Sequence, residues 1–246
     1  MMEIDVQAWV KVAAYTGGGI AMGLGAVGAA IGEGYTAAQA NAAVSRNPKL
    51  SSDIFKNMLV GQAVAESASI FALVVAILLL FMDPGEPNML KAAALFGAGL
   101  SMGFGAIGSG VGSGFPGGQA CLGISRQPAM TSRLTTNMLI GSAVCQTPAI
   151  FSMVVALMLL FMDFSNSPLH PTWAALVGAG LSTGLAAIGS GYGGGMAAGT
   201  SCEGVARQPE TVGNVTTIML VGQAVAQTPS IFGLLVSFIL MFKSFP

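Results

Sequence analysis

Six membrane-crossing helices, paired into three tandem antiparallel hairpins, are the all-α fold this sequence predicts, and three observations predict it. Of its 246 residues, 53% are hydrophobic and only 8% are charged, whereas soluble domains carry roughly 25% charged residues. Glycine occurs 35 times, and in an apolar chain small residues let helix backbones approach closely inside a bilayer. The chain also repeats itself three times.

Residues 57–83 read NMLVGQAVAESASIFALVVAILLLFMD, and residues 137–163 read NMLIGSAVCQTPAIFSMVVALMLLFMD, at an offset of 80. Residues 218–243 read IMLVGQAVAQTPSIFGLLVSFILMFK, a further 81 along. The same offsets align Arg46 with Arg126 and Arg207, and Pro48 with Pro128 and Pro209. Such a repeat is the unit to be folded first. It divides the chain into hairpin 1 at residues 1–83, hairpin 2 at 84–163 and hairpin 3 at 164–246.

The first helix of each copy is Gly-rich, over 17–34, 97–118 and 178–199. The second is rich in Leu, Val, Ile, Met and Phe. Each apolar segment runs to about 30 residues, or ~45 Å of helix. A bilayer core needs only ~20 residues, so the helix ends project into the headgroups or beyond. The connecting turns are SRNPKLSSD, SRQPAMTSR and ARQPETVGN, in which proline and polar residues stop the helix. Arg46, Lys49, Lys56, Arg126, Arg133 and Arg207 gather at these turns, while Lys11, Lys91 and Lys243 lie near the other face. The positive-inside bias then places the turns in the cytoplasm and both termini on the opposite side.

Composition excludes several classes of function. A formal charge of −1 offers no basic patch for a nucleic-acid partner. The start, Met1-Met2-Glu3-Ile4-Asp5, is acidic where a signal peptide is basic. Cys121, Cys145 and Cys202 sit in apolar or Gly-rich stretches without CxxC spacing, which favours neither a disulfide framework nor a metal site. Two GxGxxG matches, at 23–28 and 103–108, lack the strand and acidic residue of a dinucleotide site. His170 falls in a linker and reads as solvated; Glu203 precedes Arg207 by four residues, the spacing of a helix-surface ion pair.

Charged groups inside a spanning helix cost about 2.5–3.5 kcal/mol on insertion scales and so mark function. Glu33 and Glu66 are such groups. Glu66 stands 13 residues beyond Asp53 and Glu33 stands 13 before Arg46, so an antiparallel hairpin brings both to the same depth. Two adjacent carboxylates cannot both stay ionised without a shared proton or cation, and the pair therefore reads as an ion site rather than as polar glue. Glu66 becomes Gln146 and Gln227 in the other copies, and Glu33 becomes Ser113 and Gly194. One exchangeable site per three hairpins follows. Pro148 and Pro229 each deprive a carbonyl four residues back of its helical hydrogen bond, here Val144 and Val225.

A Gly-rich helix, an Arg-Gln-Pro turn and GQAVAES within an apolar helix resemble the ring-forming c subunit of the F-type ATP synthase rotor, over nearly the whole chain and in three fused copies. The resemblance implies a ring of hairpins with the Gly-rich helices inside, alone or mixed with other ring subunits. It implies cation exchange with the a subunit of the stator, and turns docked on central-stalk subunits through Arg46, Pro48, Arg126, Gln127, Pro128, Arg207, Gln208 and Pro209. It implies a ring component without catalytic residues or cofactors, set in membrane lipid, in a bacterial inner membrane. Glu66 looks like the ion-binding carboxylate and Glu33 its partner, with Ser67 supplying a hydroxyl and Val64 a backbone carbonyl; the bound ion is Na+ or H+. The family's site is shared between neighbouring hairpins, which implies that the Val144 or Val225 carbonyl, with Thr147 or Thr228, completes the Glu66 site from next door; the alternative is that the prolines only kink helices that carry no ion. Ala68 and Phe71 depart from the threonine and tyrosine of sodium-type rings. With few ions per turn, ATP-driven pumping is favoured over synthesis. A secondary transporter using a membrane glutamate is the rival, but three same-direction hairpins fit inverted-repeat transporters poorly.

Overall fold

The computed structural model describes residues 5–83, 88–164 and 173–243, and no strand occurs among them. The linkers between hairpins, with His170, lie outside the described residues. Among the described residues, six helical spans are long and apolar enough to cross a membrane. α1 spans Val6–Arg46, α2 Ser51–Phe81 and α3 Met89–Arg126. The fourth span is divided into α4, Thr131–Cys145, and α5, Thr147–Phe161. α6 covers Trp173–Arg207 and α7 covers Val212–Lys243.

Each hairpin turns in the same few residues. The first helix ends at Arg46, Arg126 or Arg207, and a single 3-10 turn beginning at Pro48, Pro128 or Pro209 feeds straight into the second helix. Proline suits that first position because it has no N–H to leave unpaired and its φ is already helical. The backbone closes identically in all three, with Leu50, Met130 and Thr211 donating to Asn47, Gln127 and Gln208 at 3.0–3.1 Å.

The Gly-rich helices form one layer in which α3 stands between α1 and α6. Their backbones nearly touch. A Cβ on Gly28 would lie 2.5 Å from the Ile107 Cα, and one on Gly108 would lie 2.5 Å from the Ile188 Cα. No larger residue fits there, and in lipid this close dispersion contact holds helices together where no hydrophobic force can. α2 nests against α1 and α3, α4 and α5 against α3 and α6, and α7 against α6. The second-layer helices meet one another only sparingly, so the row of hairpins is tight along its Gly-rich layer and splayed along the other.

Pro148 and Pro229 occupy equivalent places but act differently. The helix breaks at Gln146, ahead of Pro148, and runs unbroken through Pro229. At the break, the amide N–H of Ala149 donates to the Ser109 hydroxyl of α3 at 3.1 Å. The equivalent Ser190 hydroxyl has no hydrogen-bond partner. Hairpin 2 thus hands one helix N–H to its serine, and hairpin 3 does not, although Ser190 stands at the same place.

Candidate cation site

Glu66 lies midway along α2, 15 residues from either end, and Glu33 lies on α1 close enough to interact with it electrostatically. The two helices are tied at this level by the Gln62 amide, which donates to the Glu33 carbonyl at 3.2 Å. Ser69 donates to the Glu66 carbonyl at 2.8 Å. Ser67, assigned as a hydroxyl ligand, donates to its own helix at Ala63, 3.2 Å away.

The equivalent positions in hairpin 2 show how such side chains meet. The Gln146 amide donates to the Ser113 hydroxyl at 2.7 Å, and these residues stand where Glu66 and Glu33 stand in hairpin 1. The same amide reaches across to hairpin 1 and donates to the Val64 carbonyl at 2.9 Å. Hairpin 3 repeats the reach, with Gln227 donating to the Val144 carbonyl at 2.7 Å. A buried amide must find acceptors, and here each one crosses to the preceding hairpin. Gln146 and Gln227 are buried, whereas Glu66 is exposed within the single chain. Among the described residues no hairpin packs on its outer side.

Two of the candidate carbonyls are engaged by amides. That of Val64 accepts from Gln146 of the following hairpin. Val144 is likewise engaged by Gln227. Of the two carbonyls freed by proline, that of Val225 is the one facing no hairpin of its own chain, and Val225 is 67% exposed. Thr228 donates to Ala224 at 3.5 Å along its own helix, and Thr147 is half-buried beside Gln146. Among the described residues, no group of three or more His, Cys, Asp or Glu is placed to hold a metal ion; the oxygen donors at Glu66 come from two carboxylates and nearby carbonyls and hydroxyls.

Sequence reasoning missed a second polar level nearer the turns. The Thr135 hydroxyl donates to the Asn57 side chain at 3.0 Å, and Thr216 to Asn137 at 2.8 Å. The Asn amides in turn approach the Cys121 and Cys202 sulfurs at 3.4 and 3.6 Å. The aligned repeats display these residues, but nothing in them says that they face a neighbour. Near the turns, Glu203 bridges Arg207 of its own helix at 2.5 Å and Arg126 of hairpin 2 at 3.6 Å. The other turn residues singled out above stand together at one end of the row.

The model of the ATP synthase C subunit family matches residues 16–79, 96–159 and 177–240, once per hairpin. The chain is 29% identical over 225 residues to the K subunit of an A-type ATP synthase from Methanocaldococcus jannaschii, covering 92% of this chain and 94% of that protein. Single hairpins match shorter proteins. The ATP synthase c subunit of Natranaerobius thermophilus is 46% identical over 81 residues, 33% of this chain and 93% of the relative. Its counterpart from Petrotoga mobilis is 52% identical over 68 residues, 28% of this chain and 71% of the relative.

Proposed function

Because this chain belongs to the ATP synthase C subunit family, as three fused c-type hairpins, we propose that its Glu66 carries one cation per three hairpins through a membrane rotor ring. The chain is a multi-pass integral membrane protein and an ion-translocating, non-catalytic component of an ATP synthase. Nucleotide chemistry belongs to other subunits. The ring turns past a stator, the carboxylate exchanges its ion there, and the polar turns pass the rotation to a central stalk on the cytoplasmic side.

One observation supports this most: position 146 and position 227 each bond to a valine carbonyl of the preceding hairpin, at 2.9 and 2.7 Å. The family carboxylate thus stands at a junction between hairpins. At the two internal junctions an amide brings its own hydrogens, needs no ion and cannot release one. At Glu66 the carboxylate needs a cation between itself and the facing carbonyl, and that carbonyl is Val225 of a neighbouring hairpin 3. Sodium is the ion we favour, since two carboxylates, a hydroxyl and a carbonyl make an all-oxygen set, with one carboxyl keeping a proton while the other balances the ion. With one exchange per three hairpins, each turn of the ring moves few ions, which suits ATP-driven pumping against a steep gradient.

Carbodiimide labelling of the intact complex tests this. Glu66 is expected to take the label, and sodium at ~100 times its Kd, leaving about 1% of sites open, should slow that labelling about 100-fold. Labelling slowed only by raised pH would make the ion a proton. Labelling that bypasses Glu66 would overturn the assignment.

A further inference from the structure

The two internal junctions share one set of side chains, and the two outer edges of the chain depart from it together. Inside, an Asn on the second helix accepts from a Thr of the next hairpin, at 3.0 and 2.8 Å. Its amide points to a Cys on that hairpin's first helix. On the outgoing edge of hairpin 3 the Asn place is taken by Ile218, 71% exposed. On the incoming edge of hairpin 1 the Thr place is taken by Phe55, 54% exposed, and the Cys place by the exposed Asn41. Both partners of a polar pair have become apolar, and the amide has moved to the opposite side. Such matched changes suit two surfaces that meet each other.

The Gly-rich layer repeats the pattern. On α3, Gly99, Gly103 and Gly114 press on α1, where an added Cβ would strike backbone or side-chain atoms. Their counterparts on α1, Gly19, Gly23 and Gly34, have nothing within 4 Å. On the other face of α3, Gly108 presses on α6, while its counterpart Gly189 on α6 also has nothing within 4 Å. Each edge carries the unfilled half of a contact that the molecule already makes twice.

We propose that hairpin 3 of one chain pairs head-to-tail with hairpin 1 of a second copy, through an apolar Phe55–Ile218 contact that replaces the internal Asn–Thr bond. The proposal rests on the ring described above and goes further, by fixing what fills the gap between chains. Glu66 then finds Val225 of the preceding copy, and the exchange site is complete only between copies. A single-hairpin subunit with the internal Asn or Thr would bury an unpaired polar group against Phe55 or lose its partner at Ile218, an arrangement that costs free energy. Closed by copies of this chain alone, the ring has hairpins numbering a multiple of three.

Phe55→Cys with Ile218→Cys, in a chain whose native cysteines are replaced by serine or alanine, is to be oxidised in the native membrane. A ladder of chain dimers and higher oligomers is expected from the double variant and from neither single one. Projection images of the unaltered ring are expected to show hairpins in multiples of three. A closed ring without the ladder, or one in which position 55 links to a different polypeptide, overturns the proposal while leaving the rotor intact. Absence of any ring overturns both. Should the cysteine-free chain fail to fold, Ile218→Asn alone is expected to loosen the detergent-solubilised oligomer and Ile218→Asn with Phe55→Thr to restore it; equal behaviour of the two overturns the proposal.

Discussion

Position 66 and position 146 are the same place in the repeat, one hairpin apart, and their surroundings differ in the partner on the same hairpin and in the hairpin ahead. Gln146 is buried, its amide shared between the Ser113 hydroxyl at 2.7 Å and the Val64 carbonyl at 2.9 Å. Glu66 has Glu33 where Gln146 has Ser113, and among the described residues no hairpin packs ahead of it. An amide supplies hydrogens wherever it is placed; a carboxylate supplies none and draws in a cation. The same pocket therefore serves as a permanent joint with Gln and as an exchange site with Glu. The working unit of this protein is the junction and not the hairpin, which is why two of three carboxylates can be lost while the hairpins still hold together.

The sharpest way to break this contrast is to make position 66 a joint as well. Glu66→Gln is expected to leave the ring assembled, since the new amide can donate to Val225 as Gln146 does to Val64. ATP-driven cation uptake into proteoliposomes should fall to the level of protein-free vesicles; uptake that persists would mean that the ion travels by another route. The converse change, Gln146→Glu, is expected to open a second site between hairpins 1 and 2. Mass spectrometry after carbodiimide treatment should find two adducts per chain where the native protein has one, and ions moved per ATP should about double. A variant that assembles but remains unlabelled at 146 would show that the pocket is closed to cations whatever fills it.

Smaller changes separate the two prolines. Pro229→Ala allows the Val225 carbonyl its helical hydrogen bond and is expected to weaken sodium binding about fivefold, the size of one hydrogen bond at ~1 kcal/mol. Pro148→Ala, beside a carbonyl already held by Gln227, is expected to leave sodium affinity unchanged. Equal effects from both would break the assignment of Val225. Smallest of all, Ser113→Ala removes one acceptor of the Gln146 amide. It should cost about 1 kcal/mol in thermal stability with no change in ion affinity.

Much of this was legible in the sequence. The offsets of 80 and 81 established the triplication, the prolines at 48, 128 and 209 marked the turns, and counting from those turns placed Glu33 and Glu66 at one depth. What the repeats cannot display is direction. That residue 146 reaches back to hairpin 1, instead of forward to hairpin 3, depends on how neighbouring hairpins are staggered, and no periodicity within a single hairpin encodes it. So Val64, Val144 and Val225 look equivalent in the sequence, and only the cross-hairpin bonds show the first two engaged within the chain. The break at Gln146 was hidden for a related reason. Pro148 and Pro229 look alike in sequence, as do Ser109 and Ser190 beside them, yet only Ser109 takes an N–H from the neighbouring helix. The change of Asn to Ile at 218 could be read from the alignment of the repeats, but its meaning appears only once the Asn–Thr bonds of the other junctions are seen.

The most direct measurement is the amount of sodium that the isolated, detergent-solubilised ring holds at saturation, counted per chain with radioactive sodium and compared with the Glu66→Gln variant. One ion per native chain and none in the variant is the predicted result. Three ions per chain, or the same amount bound with and without the Glu66 carboxylate, would contradict the account.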